Sequence, residues 1–264
     1  MRWIASGASG VSPVPVAQPR PRSPSPWIWG AVVGALLAAL LWSYFRPSEP
    51  VQTLRSFLPP PAEQGFDFTG DFSGPPALAP DGTAVAFCAR ASKERNSIWV
   101  QSLAELSAKK LEGTEGAAFP FWSADGKFIG FFSDGHLKKI PATGGPVTVL
   151  ADTPNPRGGT WSADNIIVYE PDYRDTLWKI SASGGSPSRL TKFDNGKHTT
   201  HRWPSFLPDG KHFLFFGTNH SGNSEQGVYF GSIGDGTYKH ILDSDSGAQY
   251  ASGYLLYHLQ SQLL

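Results

Sequence analysis

The sequence predicts an all-β fold, a β-propeller of four-stranded blades, preceded by one N-terminal helix. Glycine (29) and proline (23) are so frequent among the 264 residues that many turns are favoured over long helices. A tight-turn dipeptide recurs with spacings of 44, 39 and 45 residues, within the range of propeller blades. A short apolar segment follows each of these turns and is typical of a buried strand.

The recurring turns define four units of similar pattern, at Asp81-Gly82, Asp125-Gly126, Asp164-Asn165 and Asp209-Gly210. The first strand of each unit is predicted directly after its turn, at 84–87, 128–132, 166–169 and 213–216. A second strand is predicted at 98–100, 137–140, 177–180 and 228–230. Aromatic residues stand close before three of the turns and are expected to pack between blades: Trp122, Trp161, Trp203 and Phe206.

A fifth unit begins at 251–257, where Gly253 occupies the turn position. We therefore expect about five or six blade-like units in residues 75–264, with the array truncated at its C-terminal end. Propellers avoid free strand edges by joining the last blade to the first. The segment 51–58, VQTLRSFL, is the candidate strand for such a closure.

Residues 27–45 contain no charged side chain, and a helix of this length would be about 29 Å long, close to the thickness of a bilayer core. They predict a transmembrane helix. The positive charges before it favour a cytoplasmic N-terminus. Residues 1–26 then form a Pro/Ser-rich cytoplasmic linker, and 46–74 an extracytoplasmic linker. A cleaved signal peptide is the alternative, but bulky residues stand where small ones would be needed.

The composition argues against nucleic-acid binding, an internal disulfide and a cysteine zinc site. Lys and Arg (22) balance Asp and Glu (22), so a general electrostatic affinity for nucleic acid is not expected. The single cysteine, Cys88, forms no internal disulfide and no cysteine zinc site, and we expect it in the core. No motif in the sequence calls for a cofactor.

The S/A-x-D-G turn followed by an apolar strand resembles the TolB-type, WD-repeat-like β-propeller family over residues 75–260. Four segments also resemble the extracytoplasmic C-terminal region of acidobacterial-type membrane serine/threonine kinases: 70–82, 112–140, 157–169 and 201–216. In that family a cytoplasmic kinase domain precedes a Pro-rich linker, one transmembrane helix and a propeller. The 264 residues contain none of the kinase motifs, so the resemblance implies a sensor or scaffold domain without catalysis.

The sequence gives weaker support for peptidase activity or metal binding. Propellers also precede serine peptidase domains, but the chain has no G-x-S-x-G motif. His198 and His201, three residues apart, could ligate a metal together with another histidine, although solvated or hydrogen-bonded histidines are the more common case. Asp243 and Asp245 resemble the start of a calcium loop that lacks its final glutamate. We therefore predict no metal site.

Two arginines occupy corresponding places in consecutive units. Arg157 lies seven residues before Asp164, and Arg202 lies seven residues before Asp209. Loops that precede the innermost strands gather at one mouth of a propeller channel. Together with His201, the two guanidinium groups could bind a carboxylate or phosphate there. The structural alternative is that each arginine pairs with an aspartate of its own or a neighbouring blade.

The expected function is non-enzymatic. The chain is expected to be a membrane-anchored sensor or scaffold in the periplasm or outside the cell, with a protein or small-molecule ligand at the channel mouth. Two alternatives stay open at this point. One is a fragment of a receptor-type kinase, and the other is a TolB-like component of the cell envelope.

Overall fold

The computed structural model describes residues 26–44, 57–68, 74–194, 196–221, 226–260 and 262–263. The chain divides into two compact units, Met1–Arg55 and Ser56–Leu264. Residues 1–25 of the predicted linker at 1–26 and most of the predicted closing strand at 51–58 lie outside the described residues.

The first unit contains one helix, α1, at Pro26–Tyr44. It has neither acidic residues in its first turn nor basic residues in its last, and side chains such as Trp27, Leu40 and Trp42 are exposed. Within the described residues, no helix satisfies both the length and the hydropathy that a membrane crossing requires.

The second unit consists of antiparallel β-sheets formed by strands that are consecutive in the sequence. Blade 1 contains β1 (Gly65–Phe66), β2 (Ala77–Leu78), β3 (Ala84–Arg90), β4 (Ser97–Ser102) and β5 (Lys109–Lys110). Blade 2 contains β6 (Ala118–Trp122), β7 (Phe128–Ser133), β8 (His136–Pro141) and β9 (Thr148–Asp152). In blade 1, both β1 and β2 pair with β3, whose other side pairs with β4.

The next two sheets repeat the pattern of blade 2. Blade 3 contains β10 (Gly159–Trp161), β11 (Ile166–Tyr169), β12 (Trp178–Ser181) and β13 (Ser188–Arg189). Blade 4 contains β14 (Thr200–Phe206), β15 (His212–Thr218), β16 (Gly227–Ser232) and β17 (Tyr238–Asp243). Two short hairpins follow, β18 (Gln249–Ala251) with β19 (Tyr254–Leu256), and β20 (His258–Leu259) with β21 (Gln262–Leu263). The predicted first and second strands of all four units are confirmed.

The recurring turn has the same backbone conformation in every unit. The residue after the aspartate, or after Ser252 in the last unit, has a positive φ: 72° at Gly82, 69° at Gly126, 62° at Asn165, 66° at Gly210 and 91° at Gly253. Glycine adopts this left-handed conformation without steric cost, and asparagine tolerates it best among the other residues. The repeat thus reflects a requirement of the backbone.

The hydrophobic core lies between the faces of consecutive blades. Cys88 and Ile98 of blade 1 pack with Ile129 and Phe131 of blade 2. Comparable clusters lie between blades 2 and 3, between blades 3 and 4, and between blade 4 and the β18–β19 hairpin. The predicted packing of Trp122, Trp161, Trp203 and Phe206 in these clusters is confirmed, as is the burial of Cys88.

Lysines in two equivalent third strands connect each blade to the next. The Nζ atom of Lys139 donates to the carbonyl oxygen of Ala182, 2.6 Å away in blade 3. The Nζ atom of Lys179 donates in the same way to Ile233 of blade 4, at 2.9 Å. A charge-assisted bond of this kind is stronger than a neutral one.

The antiparallel topology separates two ends of the unit. Counting the strands of each four-stranded blade in chain order, so that β6, β10 and β14 are first strands, the recurring tight turns join first to second strands. We call their side the turn end. The loops that precede the first strands, and those that join second to third strands, lie at the opposite side, the loop end. The predicted site residues belong to the loop end.

Candidate functional site

Arg157 and Arg202 occupy corresponding places at the loop end. Each precedes a residue with a positive φ, 97° at Gly158 and 54° at Trp203. The backbone N–H of Trp203 donates to the carbonyl oxygen of Arg157, at 2.9 Å, and so joins the segment before β10 to the middle of β14. The equivalence expected from the spacing is therefore present in the backbone.

The side chain of Arg157 supports the loop in which it lies. The residue is only 5% exposed. Its Nη1 atom donates to the side-chain oxygen of Asn155 at 2.6 Å and to the carbonyl oxygen of Pro156 at 2.8 Å. These bonds hold the segment before β10, so much of this guanidinium is engaged inside the protein.

His201 does not reach the surface, contrary to the expectation that it helps to bind a ligand. It is 0% exposed, and its ring lies against Phe193, Phe215 and Tyr238. Burial, together with the nearby His198, lowers the pKa of His201 to about 3. The imidazole is neutral at physiological pH and serves as part of the blade interior.

The two candidate metal ligands belong to a buried hydrogen-bond chain. Thr191 accepts the N–H of Leu177 at 3.0 Å, and its hydroxyl group bonds to Nδ1 of His201 at 2.9 Å. The other nitrogen of His201 lies 3.2 Å from Nδ1 of His198, whose Nε2 lies 2.9 Å from the hydroxyl of Tyr229. In the described part of the chain, no three His, Cys, Asp or Glu side chains are grouped to hold a metal.

A buried glutamate lies between the two arginines. Glu170 follows β11, is 0% exposed and accepts the hydroxyl of Thr200 at 2.6 Å through Oε1. Its pKa is raised well above the usual value, because burial outweighs the favourable effects of Thr200, Arg202 and Arg157. Its other oxygen, Oε2, has no hydrogen-bond partner within the described structure. The internal acid near both arginines is thus one glutamate, where the structural alternative had named an aspartate for each.

Several basic side chains of the loop end gather around the aromatic ring of Tyr173. The guanidinium of Arg174 lies 5.1 Å from the ring centre of Tyr173, and that of Arg157 lies 5.6 Å from it. His220 packs edge-on against the same ring at 5.5 Å. Arg202 bonds to Nε2 of His220 at 3.0 Å. We call Arg157, Tyr173, Arg174, Arg202 and His220 the mouth cluster.

The mouth cluster has a positive local potential. The pKa of His220 is lowered by burial and then by the charges of Arg202, Arg174 and Arg157. Because the guanidinium of Arg202 can only donate, Nε2 of His220 must be the unprotonated nitrogen. Arg174 and His220 are exposed. This arrangement can bind a carboxylate or phosphate group through guanidinium donors.

Sequence reasoning identified one accessible member of this cluster, Arg202, and missed Tyr173, Arg174 and His220. The missed residues lie in loops that join second to third strands, and those loops have no common length or motif. The topology alone could have indicated them, because the loops between second and third strands lie at the same end of the blades as Arg157 and Arg202.

No protein-family model matches this chain, and no curated protein matches it either. Among solved structures, a protein from Agrobacterium tumefaciens described as TolB is 16% identical with a TM-score of 0.56, covering 64% of this chain and 65% of its own. TolB from Acinetobacter baumannii is 19% identical with a TM-score of 0.52, covering 69% of this chain and 50% of its own.

A chain of a nidogen–laminin complex is 14% identical, with a TM-score of 0.56 and coverage of 70% and 71%. The present chain therefore spans 65% and 50% of the length of the two TolB structures. At such identities the likeness bears on the fold alone. Together with the four antiparallel sheets packed face to face in sequence order, it shows that this chain has a β-propeller fold of the kind seen in TolB.

Proposed function

We propose that this chain is a non-enzymatic binding module that holds an acidic segment of a protein partner at its loop end. The observation that carries the proposal is the mouth cluster, in which Arg157, Arg174 and His220 contact the ring of Tyr173 and Arg202 bonds to His220. TolB-like propellers and the propeller in a nidogen–laminin complex share the fold, which supports a role in protein binding by analogy.

The geometry favours a ligand that carries carboxylates. Arg174 is exposed and stacked on Tyr173, so its orientation is fixed before a ligand arrives. Arg202 is held by Thr200 and His220. Glu170 is buried beneath and has a raised pKa, so it neutralises the arginines less than an ordinary carboxylate would. An acidic peptide would supply the opposite charge.

Calorimetric titration of the full chain with a peptide of eight glutamates tests this proposal. Arg174→Gln should weaken binding by about two- to fivefold, the scale of one partly exposed ion pair. Lys211→Gln, at the turn end, removes the same charge from an exposed position and should leave the affinity unchanged. Binding should also raise the pKa of His220, because the added negative charge favours its protonated form.

Two results would contradict the proposal. One is the absence of binding at about 1 mM peptide at low salt. The other is an equal loss of affinity in Arg174→Gln and Lys211→Gln, which would assign binding to the overall charge of the protein. Inorganic phosphate is titrated separately. Binding of phosphate as tight as that of the peptide would indicate a small-anion site, and much weaker binding would indicate a site that needs an extended acidic peptide.

We propose further that α1 anchors the chain in the cytoplasmic membrane, with the N-terminus inside and the propeller in the periplasm or outside. The support comes from the sequence, since Pro26–Tyr44 carries no charge and places Trp27, Trp29 and Trp42 towards its ends. The structure does not add support, because no helix among the described residues meets the length and hydropathy required for a membrane span. Carbonate extraction of native membranes tests it, and release of the protein into the supernatant would overturn it.

The sensor region of a receptor-type kinase is the alternative function. It is favoured by the resemblance of segments 112–140 and 201–216 to that family. An immunoblot of native membranes with an antibody against residues 75–250 distinguishes the two. A band near 28.5 kDa supports a free-standing module, and a band larger by a kinase domain supports the receptor.

A further inference from the structure

A groove lies between the outer parts of blades 2 and 3, next to the mouth cluster. It encloses about 570 Å³ and lies between β9 on one side and β11 and β12 on the other. We call it the Trp178 groove, and the residues of its wall that bear on ligand chemistry are Asp152, Pro154, Tyr169, Pro171, Asp172 and Trp178. Its volume is in the range of sites that accept a short peptide or a drug-sized molecule.

Trp178 is partly exposed and forms the aromatic wall of this groove, and Tyr169, which is only 1% exposed, supports it from the core. Tyr169 and Trp178 are directly opposite each other in the pairing of β11 with β12, so their side chains lie next to each other on one face of the sheet. The indole Nε1 of Trp178 donates to Asp175 at 3.0 Å, and the guanidinium of Arg189 lies 5.1 Å from its ring. These contacts fix the ring without the help of a ligand.

The groove is acidic as well as apolar. Asp152, Asp172 and Asp175 all line it. Asp175 is neutralised by Arg189, and Asp152 lies 3.4 Å from His136. Asp172 accepts the backbone N–H of Arg174 at 3.0 Å, and among the described residues no cationic side chain lies within ion-pair distance of it. The carboxylates of Asp152 and Asp172 are therefore placed to attract a cation.

An aromatic wall bordered by prolines and carboxylates matches one kind of ligand. Extended proline-containing peptides dock into aromatic-lined grooves, because their polyproline II conformation is already formed and loses little entropy on binding. Basic side chains flanking the prolines would meet Asp152 and Asp172. We propose that the Trp178 groove binds an extended, basic, proline-containing segment of a partner protein. This site lies beside the mouth cluster, because Asp172 and Asp175 belong to the same β11–β12 loop as Tyr173 and Arg174. It has the opposite charge preference.

Fluorescence anisotropy of a labelled peptide with four Pro-Arg repeats, titrated with the full chain, tests this inference. Asp172→Asn should weaken binding by about two- to fivefold, as expected for one partly exposed ion pair. Asp164→Asn is the matched control, because it removes the same charge from an exposed turn at the opposite end. Val149 lines the groove and is 57% exposed, so Val149→Arg should place a cation at the rim without disturbing the core.

Val149→Arg should reduce the affinity by at least about tenfold, since it adds both bulk and a like charge. Peptides of Gly-Arg and of Pro-Glu repeats complete the test. The inference is overturned if the Gly-Arg peptide binds as tightly as Pro-Arg, if Asp164→Asn weakens binding as much as Asp172→Asn, or if Pro-Arg does not bind at about 1 mM. Titration of Asp172→Asn and Val149→Arg with the glutamate peptide shows whether either substitution also disturbs the mouth cluster. A loss of Pro-Arg binding with unchanged glutamate-peptide binding assigns the effect to the groove, so either proposal can fail without the other.

Discussion

The hydroxyl group of Thr200 donates to Oε1 of Glu170 across 2.6 Å, and this bond joins blade 4 to blade 3 at the loop end. Both residues are 0% exposed. Because the second carboxyl oxygen of Glu170 has no hydrogen-bond partner in the described structure, ionisation of this side chain is unfavourable. The junction between the two blades therefore depends on the protonation state of one buried acid.

Replacing Glu170 by glutamine should make stability less dependent on pH. The folded-state pKa of Glu170 is raised above the usual 4.5, so the unfolded chain releases this proton at a lower pH than the native protein does. Below the unfolded-state pKa, Glu170 is protonated in both states and does not change the free energy of unfolding. As pH rises from there towards the folded-state pKa, the native state loses stability. Glutamine has no proton to release and keeps an oxygen to accept from Thr200.

Urea unfolding of the wild type and of Glu170→Gln between about pH 4 and pH 7 measures this difference. The variant should gain stability relative to the wild type as the pH increases. A difference that is constant with pH, or that shrinks as pH rises, would show that Glu170 is ionised in the native protein without cost.

Gly210→Ala should destabilise the protein by about 1 kcal/mol or more, because φ at this position is 66° and a Cβ atom is unfavourable there. Gly210→Asn should cost less, since Asn165 occupies the equivalent turn at 62°. Gly234→Ala is the control, because φ is not positive there and the nearest atom to an added Cβ is 3.7 Å away. Equal losses of unfolding free energy in the two alanine variants would contradict the role assigned to the turn.

Cys88 should react with thiol reagents only when the protein unfolds. Its side chain is buried between blades 1 and 2, and burial raises its pKa to about 12, so almost no thiolate is present at neutral pH. Alkylation followed by mass spectrometry across a urea gradient should follow the unfolding transition. Rapid labelling of the native protein would show that the junction between blades 1 and 2 opens locally.

Arg202→Gln should raise the pKa of His220. Burial and the three arginines lower that pKa, and after burial Arg202 has the largest effect. Histidine carbon-bound proton shifts recorded against pH by NMR measure the change. Lys127→Gln removes a positive charge from another exposed position and serves as the control. An unchanged His220 pKa in Arg202→Gln would show that Arg202 does not contact this ring in solution.

The blades could be predicted well from the sequence because their determinants are local. Asp125-Gly126 specifies a tight turn, and the apolar residues after it form β7 whatever the rest of the chain does. The turn at Asp164-Asn165 is equivalent to the Asp-Gly turns because Asn165 adopts the same positive φ as their glycines. Packing of Trp161 between blades followed from the same repeat.

The site was less predictable because it depends on contacts between blades. The spacing placed Arg157 and Arg202 correctly relative to their turns, yet it carried no information about burial, and His201 points into the interior of blade 4. Glu170 is one acid among several in its region, and only the position of Thr200 on the next blade distinguishes it. Such side-chain orientations require the full fold.

The bonds from Lys139 to Ala182 and from Lys179 to Ile233 run from one blade to the next in the same direction. Together with the hydrophobic clusters, they make each blade depend energetically on its immediate neighbours, as in a linear array of repeats. Stability should then be transmitted stepwise along the chain, and a lesion in one blade will weaken the adjacent ones before it affects distant ones. Hydrogen exchange in a variant with such a lesion should show the largest loss of amide protection in the altered blade. The loss should be smaller in blades further from it, in place of a single global opening.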